Sequence, residues 1–206
     1  MRRFSWPTWL ARVLVESFFI MLSILLALAV DNWSESQRHQ RLALQSLQVF
    51  EREIRQNLAA IEDNIPYHSG LRSVVAQAVA DPSQAADMRT IVEGLKPVLL
   101  YNTAWETAVA SAALTHVDVE IISRLSRMYS VQERFRLLSL SATQRFPVGI
   151  ENDPSAVTRN VRDIYSYLNE LVAGEEELVG NYRQAIQMIN AELGAQSQPD
   201  SAATSP

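Results

Sequence analysis

We expect this chain to be an all-α protein, in which an N-terminal transmembrane helix continues into an antiparallel bundle of long helices. Good helix formers dominate the composition, and the 206 residues include only 6 Gly and 8 Pro, too few for a turn-rich β fold. Apolar residues recur at spacings of three and four over several long stretches, without strand-like alternation or an internal repeat. One apolar run near the N-terminus is long enough to cross a bilayer.

Residues 13–30 read VLVESFFIMLSILLALAV, an 18-residue run whose one charge is Glu16. As a helix they span roughly 27 Å at about 1.5 Å per residue, close to the thickness of a bilayer's hydrocarbon core. Arg12 lies four residues earlier on the same helix face and can partly neutralise Glu16 near the membrane surface. We therefore predict a transmembrane helix over residues 13–33, with Glu16 at the interface. A contact of Glu16 with another membrane helix is the alternative.

Tryptophans bracket the run, with Trp6 and Trp9 before it and Trp33 after it, as membrane interfaces favour, although Trp33 could instead be buried in the soluble domain. Residues 1–15 contain three Arg, whereas the two Arg in residues 31–45 are opposed by Asp31 and Glu35. The positive-inside rule then places residues 1–12 in the cytoplasm and residues 34–206 outside it.

A cleaved signal peptide is the rival interpretation, because Ala27-Leu28-Ala29 has the small-x-small form of a cleavage site. No Gly or Pro breaks the helix before that site, and the run continues directly into a polar helix. These two features favour a retained anchor.

Residues 34–194 carry the helical domain. In its first helix one apolar stripe includes Leu44, Leu47, Phe50, Ile54, Leu58, Ile61 and Ile65, and Pro66 should kink or end the helix before a further stripe that stops at Asp81-Pro82. Later helices are predicted over residues 83–95, 103–114 and 119–144, with Asn102 or Thr103 capping the second and Asp118 capping the third.

The last helix, residues 154–193, has the clearest period. Its seam consists of Val157, Val161, Ile164, Leu168, Leu171, Leu178, Tyr182, Ala185 and Ile189, with Glu175 filling one slot. Such a seam packs against other helices, within the chain or in a partner, as in a coiled coil. Gly174 and Gly180 could introduce a local bend, and residues 195–206 are predicted to be a disordered tail.

The charge distribution disfavours nucleic-acid binding. The net charge is −5, of which residues 1–16 contribute +2, so the remaining chain carries −7. The sequence has no Cys, no Gly-rich phosphate loop and no nucleophile elbow. We therefore expect no catalytic residue, no cofactor and no metal site.

Histidines and acidic clusters offer the one enzymatic alternative, a metal-dependent activity. Glu35 and His39 share a helix face and could form half of a metal site, and residues 175–177 could bind a cation. His68 lies near Glu62 and Asp63 in sequence. The simpler interpretation of all these groups is a solvated surface.

The segment 101–129 is dense in aromatic and small residues. Trp105 and its neighbouring alanines would allow close helix contact, so core packing is the simpler interpretation. A groove for a partner or ligand, formed by Tyr101, Trp105 and Tyr129, is the functional alternative.

Residues 15–35 resemble the start of an uncharacterised bacterial family of single-pass membrane proteins, whose membrane helix ends in an ALxxxNWxE pattern. Here the pattern falls on Ala27, Leu28, Asn32, Trp33 and Glu35, with Glu16 at the matching acidic position. Residues 48–61 are similar to the helix that follows in that family, through Glu53, Asn57 and Leu58. Residues 103–129 are similar to the family's "small-Gly-x-Leu … Leu … Tyr" block. Ala112 or Ala113 stands where that block has Gly, and one Tyr replaces a pair. The resemblance covers about half the chain and implies an uncleaved anchor without an assigned activity.

Together these features predict a membrane-anchored helical module of the bacterial envelope that binds a partner. It would sit in the inner (cytoplasmic) membrane with its bundle in the periplasm. Its expected partners are the lipid bilayer and either a second copy or another membrane protein. A sensor-like extracytoplasmic domain that signals through a separate membrane partner is the alternative, by analogy with the fold.

Overall fold

The computed structural model describes residues 8–81, 91, 95, 97–111, 113–146 and 154–197. All regular secondary structure in these residues is helical, which confirms the predicted all-α class. The chain divides into two compact units, residues 1–43 and 44–206. The boundary between the two units, after residue 43, lies ten residues beyond the predicted end of the membrane helix at residue 33.

Helix α1, Thr8–Ala80, runs through both units and through Pro66. The sequence left open whether Pro66 kinks or ends the helix, and the helix does not end there. Proline removes one backbone hydrogen bond. Buried residues on both sides, including Ile61 and Val75, hold the two halves of the helix in the bundle.

Within the first unit, the apolar part of α1 is exposed. The large apolar side chains described between Val13 and Val30 are 38–63% exposed. The helix is long and apolar enough to be a candidate membrane span near the N-terminus. An apolar surface of this extent needs a cover other than this chain, and a lipid bilayer is one such cover.

In the part of the second unit that the structure describes, α1 is followed by three helices with described bounds and by one 3₁₀ helix. Helix α2 covers Thr103–Ala110 and is followed by the 3₁₀ helix Ala113–His116. The predicted helix over residues 103–114 was therefore too long, because the chain tightens into a 3₁₀ turn after Ser111. The predicted helix over residues 83–95 lies mostly outside the described residues; of the two residues described there, Ile91 is helical and Leu95 is not.

Helix α3 covers Val119–Arg145, and the Asp118 carboxylate caps it by accepting from the Glu120 and Ile121 backbone N–H groups, as predicted. Helix α4 covers Pro154–Ser197 and continues through both glycines of its middle. The tail was expected to begin at residue 195, but α4 runs on to Ser197 because Gly194 does not end it. Residues 198–206 lie outside the described part.

The core lies between α1, α3 and α4. The α4 seam is buried at every described position, and α4 packs against both α3 and α1. The buried face of α1 includes Leu47, Phe50, Ile54 and Ile61, and the buried face of α3 includes Leu125, Met128 and Phe135. The apolar surface of the α4 seam is therefore covered by other helices of this chain, which run antiparallel to α4.

Candidate functional site

A set of buried polar side chains holds the segment that enters α2. Asn57 of α1 donates from Nδ2 to the Tyr101 carbonyl oxygen at 2.7 Å, and the Tyr101 N–H donates to Asn57 Oδ1 at 2.9 Å. One turn earlier, Glu53 Oε2 accepts from the Ala104 N–H at 2.8 Å. We call five buried side chains around this segment the polar clasp: Glu53, Asn57, Tyr129, Gln132 and Tyr182.

Glu53 takes the place of a local cap on α2. Asn102 stands at the N-cap position, but its side chain accepts no hydrogen bond from a backbone N–H of the first turn. Its Nδ2 instead donates to Glu106 Oε1 at 2.8 Å. A carboxylate at a helix N-terminus satisfies a backbone donor and interacts favourably with the helix dipole, so α1 fixes where α2 begins.

Helices α3 and α4 complete the clasp. The Tyr129 hydroxyl donates to Glu53 Oε1 at 2.8 Å, and Gln132 Nε2 donates to the Tyr101 carbonyl at 2.9 Å. Gln132 Oε1 accepts from the Tyr182 hydroxyl at 2.8 Å and from Asn57 Nδ2 at 3.3 Å. All five clasp side chains are buried, so these bonds tie three helices and one backbone segment together in a water-poor interior.

Burial keeps the clasp phenols neutral. It raises the pKa of Tyr129 far above its ordinary value, and the neighbouring Glu53 carboxylate adds to the effect. The pKa of Tyr182 rises for the same two reasons. Outside the clasp, burial raises the pKa of Tyr167 to about 12, and its hydroxyl donates to the Ser139 carbonyl at 3.3 Å. Neutral phenols remain hydrogen-bond donors over the physiological range.

Beside the clasp lies a cleft of about 680 Å³ between α2 and α3. It is lined by Leu100, Asn102, Trp105, Glu106, Ser126, Tyr129, Ser130, Gln132, Glu133 and Arg136. The Trp105 and Tyr129 rings lie 5.5 Å apart at 30°, and Phe50 packs against both from α1. At the rim, Arg136 donates twice to Glu133, at 2.7 Å each. The volume falls in the range of small-molecule and side-chain binding sites.

The predicted groove residues divide into two roles. Trp105 and Tyr129 pack against the core residue Phe50, as the packing interpretation expects, and both also line the cleft. That a partner or ligand binds there stays a prediction. The Tyr101 side chain is 41% exposed and does not line the cleft, whereas its backbone is held by the clasp.

The predicted anchor residues all lie on the exposed surface of α1. The Arg12 Nε and Glu16 Oε1 atoms are 3.9 Å apart, in agreement with the expected pairing. Trp33 is 67% exposed, so the alternative that buries it in the soluble domain is wrong. Asn32 is exposed, and Glu35 Oε1 lies 3.8 Å from His39 Nε2.

His68 contradicts the surface interpretation. It is fully buried, and its Nδ1 lies 2.6 Å from Oε1 of Glu175, which is also fully buried. Glu176 and Glu177 are exposed, so the acidic run is solvated except at its first member. Glu175 is buried and Glu176 and Glu177 are exposed because Glu175 occupies a position of the α4 seam and the other two do not. His68 Nε2 and Glu175 Oε2 have no hydrogen-bond partner in the described structure.

The sequence analysis did not single out Gln132 as a functional residue, and it named Glu53 and Asn57 only through the family resemblance. The position of Asn57 in the sequence nevertheless indicates a buried polar contact. Asn57 stands three residues after Ile54 and four before Ile61, inside the apolar stripe of α1. A polar residue at such a position must find a partner in the core. Two residues quoted for the resemblance, Glu53 and Asn57, meet in this clasp.

Over the described residues, the fold and the cleft define the class of protein: its regular structure is all helical, with one candidate membrane span and a partly aromatic cleft on the bundle. Among the described residues, no group of three or more His, Asp or Glu side chains could hold a metal ion. Searches of protein-family models, curated proteins and solved structures give no match to this chain.

Proposed function

We propose that this protein is a membrane-anchored helical module of the bacterial envelope, whose bundle binds a partner through the cleft between α2 and α3. The cleft is the observation that carries the proposal. It combines a concave volume of about 680 Å³ with a partly exposed Trp105, a residue type that is enriched at protein interfaces, and with several polar side chains.

The clasp supports this proposal because it fixes the cleft before any partner arrives. Asn57 and Gln132 both bond the Tyr101 backbone, which is flanked by two cleft residues, Leu100 and Asn102. A wall held in its bound geometry loses less conformational entropy on association. Of the six buried polar or charged side chains among the described residues, three bond this segment: Glu53, Asn57 and Gln132.

The proposed anchoring rests on the exposed apolar part of α1 and on the flanking charges. The bundle would lie in the periplasm, with residues 1–12 in the cytoplasm, as the positive-inside rule and the family resemblance suggest. Intact-mass measurement of the membrane-extracted protein tests retention of the anchor, and protease treatment of sealed vesicles tests the side on which residues 34–206 lie. Cleavage after Ala29 or a cytoplasmic bundle would contradict this arrangement.

Photocrosslinking tests the cleft itself. A photoreactive residue at Ser126, inside the cleft, should form a discrete adduct in native membranes, and Ser130→Trp, which fills the cleft, should abolish it. The control probe stands at Ser123, one turn earlier on α3 and outside the cleft lining. If Ser130→Trp leaves the Ser126 adduct unchanged, the cleft does not bind the partner and the proposal fails.

A further inference from the structure

The cleft has an unbalanced charge. Its lining contains two carboxylates, Glu106 and Glu133, and one guanidinium, Arg136, so its net charge is 1 − 2 = −1. Arg136 engages both oxygens of Glu133. Glu106 is paired only with the neutral amide of Asn102. Glu106 is therefore the one lining carboxylate without a cationic partner in the described structure.

The aromatic wall adds a second attraction for a cation. The Trp105 ring is partly exposed in the cleft and lies against Tyr129. The Tyr129 hydroxyl donates to Glu53, so the polar end of Tyr129 is engaged in the clasp and Trp105 is the more exposed ring of the two. The faces of Trp and Tyr rings attract ammonium and guanidinium groups.

The surrounding domain carries the same sign of charge. Residues 17–206 contain 15 basic and 22 acidic residues, and 15 − 22 gives −7. A field of this sign raises the local concentration of cations and speeds their association with the cleft.

We propose that the cleft binds a basic peptide segment of a partner protein, with an arginine or lysine side chain placed between the Glu106 carboxylate and the Trp105 ring. This inference rests on the proposed function and specifies the chemistry of its partner. Charge complementarity selects a basic peptide over a neutral glycan, which the aromatic and amide groups alone would also accept.

Binding of a blocked tri-arginine peptide to the full chain tests the proposal. The protein is placed in phosphatidylcholine nanodiscs, whose neutral lipids do not attract the peptide, and a blocked tri-glutamate peptide and chitotriose are compared. We expect saturable binding of tri-arginine alone, with loss of binding at about 0.5 M salt, where charges are screened within a few Å.

Charge variants should change this affinity in opposite directions. Glu106→Gln should weaken binding roughly threefold, and Arg136→Gln, which frees Glu133, should tighten it roughly threefold, as expected for exposed ion pairs. Ser130→Trp should weaken it at least about tenfold. The matched controls are Glu120→Gln and Arg124→Gln, an exposed pair on α3 outside the cleft, with identical changes in net charge.

The outcomes separate this inference from the proposed function. If Glu120→Gln weakens binding as much as Glu106→Gln does, the peptide follows only the diffuse field and the basic-peptide site is wrong. Binding of chitotriose in place of tri-arginine, blocked by Ser130→Trp, would overturn the choice of ligand and leave the cleft as a binding site. Failure of the membrane crosslinking test would instead overturn the proposed function.

Discussion

Removing the Glu175 carboxylate tests the energetic role of the buried pair. In the Glu175→Leu variant, His68 stays fully buried and loses the bond that its Nδ1 makes at 2.6 Å, while Nε2 already has no partner in the described structure. Breaking a buried pair by removing one member destabilises a protein by about 3–5 kcal/mol. For a chain of this size each kcal/mol lowers the Tm by about 2–4 °C, so we expect a fall of about 10 °C.

The measurement is thermal unfolding of the full chain in nonionic detergent, followed by near-ultraviolet circular dichroism. This signal reports the packing of the buried aromatic residues, whereas far-ultraviolet ellipticity would include the membrane helix. The control is Glu176→Leu, the same chemical change one residue along α4 at an exposed position. It should change the stability by no more than about 0.5 kcal/mol.

The double variant His68→Leu/Glu175→Leu separates pairing from packing. Replacing both members of a buried pair with apolar residues is often neutral or stabilising, and here it also removes two polar atoms without partners. We expect the double variant to regain most of the stability lost in either single variant. If Glu175→Leu is no worse than Glu176→Leu, or if the two single effects simply add, the pair is not coupled and the reasoning is refuted.

Three further predictions concern the stability of the bundle. Asn57→Ala should destabilise the bundle by about 2–3 kcal/mol and expose residues 97–104 to proteolysis, since it leaves the Tyr101 N–H unpaired. Gly180→Ala should raise the free energy of unfolding by about 1 kcal/mol, because alanine favours the helix and a Cβ there meets no atom within 4 Å. Gly174→Ala should raise it by less, because its Cβ would lie 3.0 Å from the Phe135 ring. Denaturant unfolding of both variants tests the difference. In an alkaline titration followed at the tyrosinate absorbance, three of the six tyrosines should ionise only as the fold is lost: Tyr129, Tyr167 and Tyr182. Their folded pKa values exceed the ordinary 10.0, so the stability they contribute is complete below that pH and is lost as the pH rises through the folded values, about 12 for Tyr167. Independent ionisation without unfolding would contradict the burial of these side chains: Tyr129, Tyr167 and Tyr182.

Periodicity predicted the helices well because it depends on local spacing. The stripe on α1, the cap at Asp118 and the seam of α4 are where the sequence indicated. Helix ends were less predictable, since the change to a 3₁₀ turn after α2 and the run of α4 past Gly194 depend on small local differences in free energy.

The partners of the polar core residues could not be read from the sequence. Asn57 and Gln132 are 75 residues apart, and His68 and Glu175 are 107 apart, so their contacts exist only through the packing of the helices. Periodicity identifies the buried face of a helix but not the neighbour that covers it. The surface interpretation of His68 failed for this reason.

The buried polar residues link the fold to the cleft. Asn57, Gln132 and Glu175 occupy positions where an apolar side chain would also pack, and each instead needs particular partners at hydrogen-bond distance. A shift of α1 against α3 by one turn would separate the Asn57 and Gln132 side chains from the Tyr101 backbone they share. Because that backbone lies between two residues of the cleft wall, the helix register that these polar groups select is also the register in which the cleft forms.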